Sequence, residues 1–277
     1  MSYVIAIANQ KGGVGKTTTV VNFAAMLASK KKTVLVIDLD PQANATSGLG
    51  VEPQDGISLY PALMGTKSID EVILGTVIEN VNIIPSEVNL AGAEIEIARM
   101  EDHLHGLANI LEPIKEANVF DYIIIDCPPS LGILMSNALA AADSVIIPMQ
   151  CEYYAMEGLS VITQLIERLR NTEANPRLVL DGILMTMYNK TRLADDVISQ
   201  VREHYADAVY ESVIPRSVRA GEAPSFGLPV VVYAPSSTVA VGYSEFTKEF
   251  LKRRKAKETI VNANDAPLPT SEASTMA

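Results

Sequence analysis

Tyr3-Val4-Ile5-Ala6-Ile7-Ala8-Asn9-Gln10-Lys11-Gly12-Gly13-Val14-Gly15-Lys16-Thr17-Thr18-Thr19 is the stretch on which the reading of the fold turns. A short apolar run comes first, then a glycine-rich segment, then a helical pattern over residues 17–30. Strand, glycine-rich loop and helix form the context that a phosphate-binding loop requires. Glycines let backbone N–H groups converge on phosphate oxygens, and the helix N-terminus adds its partial positive charge. Gly12, Gly13, Val14, Gly15 and Thr18 supply such a cradle. In such a loop Lys16 would reach the β- and γ-phosphates, and the Thr17 hydroxyl would coordinate Mg²⁺. The loop departs from the ordinary pattern G-x-x-x-x-G-K-[ST]. Gln10 stands where the first glycine falls, and an extra lysine, Lys11, precedes Gly12.

Outward from this stretch, short apolar runs alternate with helical patterns. Strands are expected over residues 3–8, 33–38, 81–85, 122–126, 144–148, 178–185 and 210–214. Helices are expected over 17–30, 103–117, 131–142, 156–170, 193–205 and 239–257. Ile123-Ile124-Ile125 and Val145-Ile146-Ile147 are apolar without interruption, as strands buried on both faces of a parallel sheet are. The alternation implies a doubly wound α/β fold: a mostly parallel twisted sheet flanked by helices, with right-handed crossovers. No internal repeat or interdomain linker is evident. Composition changes near Asn262, so residues 1–260 are read as one domain and 261–277 as a disordered tail.

The chain has 277 residues, 48% of them hydrophobic and 20% charged, enough apolar content for a sizeable core. Only Cys127 and Cys151 are present, which excludes a disulfide scaffold and suits a reducing cytosol. No apolar run approaches the ~20 residues of a membrane-spanning helix. The N-terminal run is too short for a signal peptide and lacks a basic flank. His103, His105 and His204 show no metal-ligand spacing with the cysteines and read as surface helix positions.

Two further strand ends carry carboxylates. Val36-Ile37-Asp38-Leu39-Asp40-Pro41-Gln42-Ala43-Asn44-Ala45-Thr46 places two acids at the rim where α/β sheets bind ligands. An Asp there can orient an attacking water or hold Mg²⁺ through water. Tyr122-Ile123-Ile124-Ile125-Asp126-Cys127-Pro128-Pro129 is an apolar strand ending in Asp, and Asp126 falls in the Mg²⁺ shell. Cys127, with no histidine beside it in sequence, reads as a small packing residue.

Lys11-Gly12-Gly13-Val14-Gly15-Lys16-Thr17-Thr18 closely resembles the deviant Walker A motif of the ParA/MinD group of P-loop ATPases. Beyond the loop, Thr46-Ser47-Gly48-Leu49-Gly50, Met185-Thr186-Met187-Tyr188-Asn189 and the run from Ile214 to Pro229 resemble the ParA/Soj chromosome-partitioning branch. The resemblance spans roughly residues 1–255. It implies an ATPase using ATP and Mg²⁺, with Lys11, Lys16 and Asp40 as the catalytic set. Lys11 would reach across a nucleotide-sandwich homodimer to the partner's phosphates, and Asp40 would position the water. Thr17, Asp38 and Asp126 are assigned to the Mg²⁺ shell, and Met187 and Pro215 to the adenine. The resemblance further implies nonspecific DNA binding by the ATP-bound dimer through Arg216 and Arg219, with Lys190 or Arg192. It implies a ParB-type partner that stimulates hydrolysis, and a cytoplasmic, nucleoid-associated protein acting in chromosome or plasmid segregation.

Two other readings stay open. Phe246, Phe250 and Leu251 lie on one side of the last helix, ahead of a basic cluster. MinD relatives anchor to membranes by such a helix. Here an apolar side of three residues followed by a polar tail argues against a membrane partner. It reads better as a final helix docked on the sheet, its basic end helping to hold DNA. An orphan ParA-like positioner of a protein cargo would keep the same chemistry with another partner. The formal net charge of −11 argues at first sight against DNA. However, residues 50–120 hold 12 acids and 3 bases, whereas 248–257 hold 6 bases and 1 acid. Binding by one protomer is therefore expected to be weak and salt-sensitive.

Overall fold

The apolar runs become neighbouring strands of one eight-stranded sheet. The structure, a computed structural model, describes residues 2–54, 56–152 and 155–264. The strands are β1 (Tyr3–Ile7), β2 (Val34–Asp38), β3 (Leu74–Gly75), β4 (Val81–Ile84), β5 (Tyr122–Asp126), β6 (Ser144–Gln150), β7 (Val179–Tyr188) and β8 (Val209–Pro215). Their order is β3-β4-β2-β5-β1-β6-β7-β8. All pairings are parallel except that of β3 with β4.

Successive strand residues point to opposite faces. Here both faces are covered, so both sets of side chains are apolar. Val4, Ala6, Leu35, Ile37, Ile123 and Ile125 fill one core layer. Ile5, Ile7, Val34, Val36 and Ile124 fill the other. The chain leaves β1 through the helix Lys16–Ala28 and steps outward to β2 and β4. It returns to β5, between β2 and β1, and then crosses to β6 on the far side of β1. The reversal flanks β1. In open α/β sheets, ligands bind beyond the carboxyl ends of strands at such a point, and the glycine-rich loop follows β1 there.

The last helix, Thr238–Asn264, packs on β8 and on the helix Lys16–Ala28. Phe246 and Phe250 are fully buried. The Phe23 ring centroid lies 5.0 Å from that of Phe246 and 4.9 Å from that of Phe250. Tyr210 meets Phe246 edge-on at 4.8 Å. Part of the basic cluster is also used internally. Arg253 donates to the carbonyls of Asp207 and Val209 and pairs with Glu249 at 2.6 Å. The Arg254 guanidinium lies 3.5 Å from the Tyr3 ring centroid. Lys257 pairs with the buried Asp181 at 2.5 Å. Lys248, Lys252 and Lys255 stay exposed. Among the described residues no helix is long and apolar enough to cross a membrane.

The departures from the sequence reading are local. The helices Asn44–Gly48, Leu59–Leu63, Leu90–Ile97, Val218–Glu222 and Val230–Tyr233 were not anticipated. At four to eight residues each, they are too short for a periodic signal to emerge. The helix expected from residue 103 starts at Gly106. His105 stands just before it, with its ring nitrogens on Asp102 and the Ala174 carbonyl. The last helix runs to Asn264, past the expected boundary at 260. Residues 265–277 of the expected tail lie outside the described residues.

Phe246→Ala is expected to lower the unfolding free energy by about 3–5 kcal/mol, because it empties the contact joining the last helix to the sheet. Urea titration followed by circular dichroism checks this.

Candidate active site

Strand register assembles the site. Asp126 of β5 lies opposite Ile7 of β1 and Asp38 of β2, so both carboxylates stand at the level where the loop begins. Gly13 and Gly15 have φ of 72° and 87°. These left-handed values favour glycine and turn the chain back over the sheet edge. Gly15 precedes the helix Lys16–Ala28, whose N-terminus has no side-chain cap. Among the described residues, the peptide N–H groups of residues 12–18 donate to no protein acceptor. Unpaired donors in a row at a helix N-terminus make an anion cradle.

Lys16 is buried, and its Nζ lies 3.2 Å from the Lys11 carbonyl. Burial lowers its pKa, while Asp126, Cys127 and Asp40 act in the other direction. Asp38 and Asp126 are both fully buried, yet their surroundings differ. Asp38 accepts hydrogen bonds from the Thr46 peptide N–H at 2.8 Å, the Thr46 hydroxyl at 2.7 Å and the Asp40 N–H at 3.2 Å. Burial still raises its pKa to about 6. Neither carboxylate oxygen of Asp126 has a hydrogen-bond partner. Its pKa is pushed well above the usual range, first by burial and then by Asp38, with Thr17 and Lys16 opposing. Thr17 faces Asp126 without a hydrogen bond of good geometry. A pair of unmet carboxylate oxygens beside a threonine hydroxyl fits the hydration shell of Mg²⁺. That ion is held by one or two carboxylates together with phosphate oxygens. Among the described residues no cluster of three or more His, Cys, Asp or Glu side chains could hold a metal alone, so phosphate would complete the set.

Asp40 is half-buried, and its carboxylate accepts the Gln42 N–H at 3.0 Å. Ala43 follows with φ of 53°, a left-handed value that costs a non-glycine residue free energy. Lys11 lies at the open side of the loop, where its Nζ pairs with Glu152 at 2.6 Å. Both side chains are substantially exposed, at 41% and 53%. Such a pair contributes about 0–1 kcal/mol, so Lys11 is released readily. Burial pushes the Cys127 thiol up, which leaves it inert beside the site.

The ends of β7 and β8 pair at Tyr188 and Pro215, and the Arg216 N–H donates to the Tyr188 carbonyl at 2.9 Å. Met187 and Pro215 line one cavity of about 260 Å³ together with Gly15, Thr18, Ala220 and Tyr243. Met187 and Lys190 have φ of 53° and 55°. Lys190, Arg192, Arg216 and Arg219 are all exposed on these two adjacent segments. Arg219 pairs with Glu222 at 2.8 Å. Among the described residues the other three form no ion pair. A larger cavity, about 1220 Å³, lies by the other ends of β7 and β8, lined by Asp181, Arg202, Arg253 and Lys257. Its acids and bases largely neutralise one another, and it is remote from the loop. Glu152, Gln150 and Tyr243 carried no signal in the sequence, whereas Thr46 and Thr186 sat unremarked inside recognised stretches.

The sheet and loop define a P-loop NTPase. A family model described as an AAA domain matches residues 2–180. The chain is 49% identical over 251 residues to the sporulation initiation inhibitor protein Soj of Bacillus subtilis, covering 90% of this chain and 98% of that protein. It is 45% identical to the chromosome partitioning protein ParA of Myxococcus xanthus, covering 92% and 89%. Among solved structures, a cobyrinic acid a,c-diamide synthase from Mycobacterium smegmatis superposes with a TM-score of 0.80 at 35% identity, covering 93% and 97%. That protein was crystallised with ADP and magnesium, and with an ATP analogue and magnesium. The chain belongs to the Soj/ParA family of chromosome-partitioning ATPases.

The two buried carboxylates make nucleotide-free stability depend on pH. A carboxyl group whose folded pKa is raised contributes stability below its unfolded pKa, near 3.9, and loses it as pH rises through the folded pKa. For Asp38 that window runs from about 4 to about 6. Asp38→Asn with Asp126→Asn is expected to flatten the fall in stability across this window. Urea midpoints measured from pH 4 to 8 test it, and an unchanged slope would show that these groups do not set the dependence.

Proposed function

We propose that this chain is a Mg²⁺-dependent ATP hydrolase that acts in chromosome or plasmid segregation. The observation that carries the reading is the combination of unpaired N–H donors over residues 12–18 with buried Lys16 and the unpartnered oxygens of Asp126. One half of the site is thus built for polyphosphate and the other for a hydrated divalent cation. The more similar relatives, at 45% and 49% identity, are named for partitioning and sporulation control. They weigh more than the 35% identical diamide synthase.

In this reading the cradle and Lys16 hold the phosphates, with Met187 and Pro215 against the adenine. Thr17, Asp126 and Asp38 would hold the magnesium, which would screen phosphate charge when bound. Asp40, at the open rim, positions the attacking water. The chemistry is phosphoryl transfer to water, so the residues supply placement and charge. Lys11 leaves Glu152 and reaches the phosphates of a second protomer in a sandwich homodimer, where its charge acts in trans. The dimer presents Arg216, Arg219 and Lys190 or Arg192 to DNA without sequence preference. A ParB-type partner then stimulates hydrolysis and DNA is released. Phe246 and Phe250 are buried inside the fold, so the apolar side read from the sequence is not free to enter a bilayer, which favours DNA over a membrane as the docking surface.

Lys16→Ala is expected to abolish ATP turnover, read as phosphate release at saturating Mg²⁺. Turnover at the wild-type rate would remove the loop from the site. Arg219→Ala is expected to weaken ATP-dependent DNA binding and make the slope of log K against log salt shallower by about 1 per protomer, with DNA-free turnover retained. Gel shifts over a salt series check it.

A further inference from the structure

The phosphate loop is held from outside by two side chains that belong to neither the loop nor the helix after it. Thr186, near the end of β7, is 2% exposed, and its hydroxyl donates to the Val14 carbonyl at 2.8 Å. Gln150, the last residue of β6, donates through Nε2 to the Gly13 carbonyl at 3.0 Å and also faces the Met187 sulfur. Loop entry is fixed separately. The Asn9 side-chain amide donates to the Pro148 carbonyl at 2.8 Å, and its oxygen accepts the Lys11 N–H at 2.9 Å.

A trans peptide unit is planar, and its C=O points opposite to the N–H of the next residue. Holding the Gly13 carbonyl therefore aims the Val14 N–H, and holding the Val14 carbonyl aims the Gly15 N–H. Both units need this. They are flanked by Gly13 and Gly15, at φ of 72° and 87°, and glycine tolerates either sign of φ at little cost. Nothing packs within 4 Å of where a Gly13 side chain would begin, so sterics do not hold that turn. If either unit flipped, a carbonyl oxygen would replace an N–H in the cradle and repel an anion.

We propose that Thr186 and Gln150 are positioning residues that lock these two peptide units with their N–H groups facing the phosphates, and so set polyphosphate affinity. The proposal rests on the nucleotide-site reading above. It assigns the tuning of that site to the ends of β6 and β7. The Thr186 contact is the stronger, because it is buried, whereas Gln150 is half-exposed.

Calorimetric titration of the full chain with ADP tests this, alongside thermal unfolding without nucleotide. Thr186→Val keeps the shape and removes the donor. It is expected to weaken ADP binding roughly tenfold, the effect of one lost buried hydrogen bond. Thr186→Ser is expected to bind within about twofold of wild type. Gln150→Leu is expected to weaken binding about threefold with unfolding temperature unchanged, and it carries the test if Thr186→Val does not fold. A Thr186→Val protein that melts earlier but binds ADP as wild type does would overturn the proposal, since the hydroxyl would then serve stability alone. Failure of wild type to bind ADP would overturn the nucleotide-site reading and this inference together. Wild-type binding matched by both Thr186→Val and Gln150→Leu would overturn this inference only.

Discussion

The parallel register of β2, β5 and β1 is the constraint from which the rest of the site follows. It sets Asp38 beside Asp126 and both beside the start of the loop. Because helices cover both faces of the sheet, those carboxylates have no exposure at all. Removing a carboxylate from water costs several kcal/mol unless partners compensate. The fold supplies them unequally. Asp38 has three donors and Asp126 has none, only the nearby Lys16 and Thr17. A fold selected for stability alone would not keep such a pair at its centre. The imbalance makes the nucleotide-free protein the less satisfied state, and a cation with phosphates is the chemistry that relieves it.

The unequal pairing also divides the labour of the two acids. Both oxygens of Asp38 accept hydrogen bonds, so beside its proposed place near the magnesium it also holds the turn that carries Asp40 and the helix Asn44–Gly48. The Thr46 hydroxyl extends that hold by accepting the Ser86 N–H at 3.1 Å. At the far end of the helix, Gly50 and Gly227, with φ of 73° and 63°, meet backbone to backbone. A Cβ on Gly227 would stand 3.0 Å from the Gly50 Cα. The segment near Asp40 is therefore in tight contact with the segment that follows Arg216 and Arg219. On the proposed function, a change in Asp40 at the phosphates would be felt where DNA binds, through packed groups with little slack.

What could be read from the sequence was what repeats or what is chemically rare. Apolar runs such as Ile123-Ile124-Ile125 fixed the inner strands, since only a covered parallel sheet asks for both faces at once. Lys16-Thr17 after glycines, with Asp at two later strand ends, marked residues that the strand register brings to one sheet edge. The illegible parts depend on pairing across the chain. Two-residue β3 and the short helices between 44 and 97 lack a period. Glu152 beside Lys11, or Gln150 beside Gly13, requires knowing that β6 lies next to β1. The basic end of the last helix is only partly legible for a similar reason. Its excess of bases was plain, but the use of Arg253, Arg254 and Lys257 inside the fold depends on where Asp181, Tyr3 and Glu249 stand.

That internal use reshapes the electrostatic argument about DNA. Of the 6 bases between residues 248 and 257, Arg253, Arg254 and Lys257 are engaged with the fold. The cationic surface of one protomer is thus smaller than the sequence implies, while the acids of residues 50–120 remain. The β7–β8 pairing does set the segment carrying Lys190 and Arg192 beside the one carrying Arg216 and Arg219, yet Arg219 is partly neutralised by Glu222. Each phosphate contact contributes a counterion-release gain that falls with salt, and a few contacts give only weak binding at physiological ionic strength. On the proposed function, a chain of net charge −11 therefore needs its positive patches doubled on one face before DNA would hold it. In the proposed cycle, dimerisation on ATP performs that doubling, and the site becomes a switch for DNA affinity without any change in the basic residues themselves.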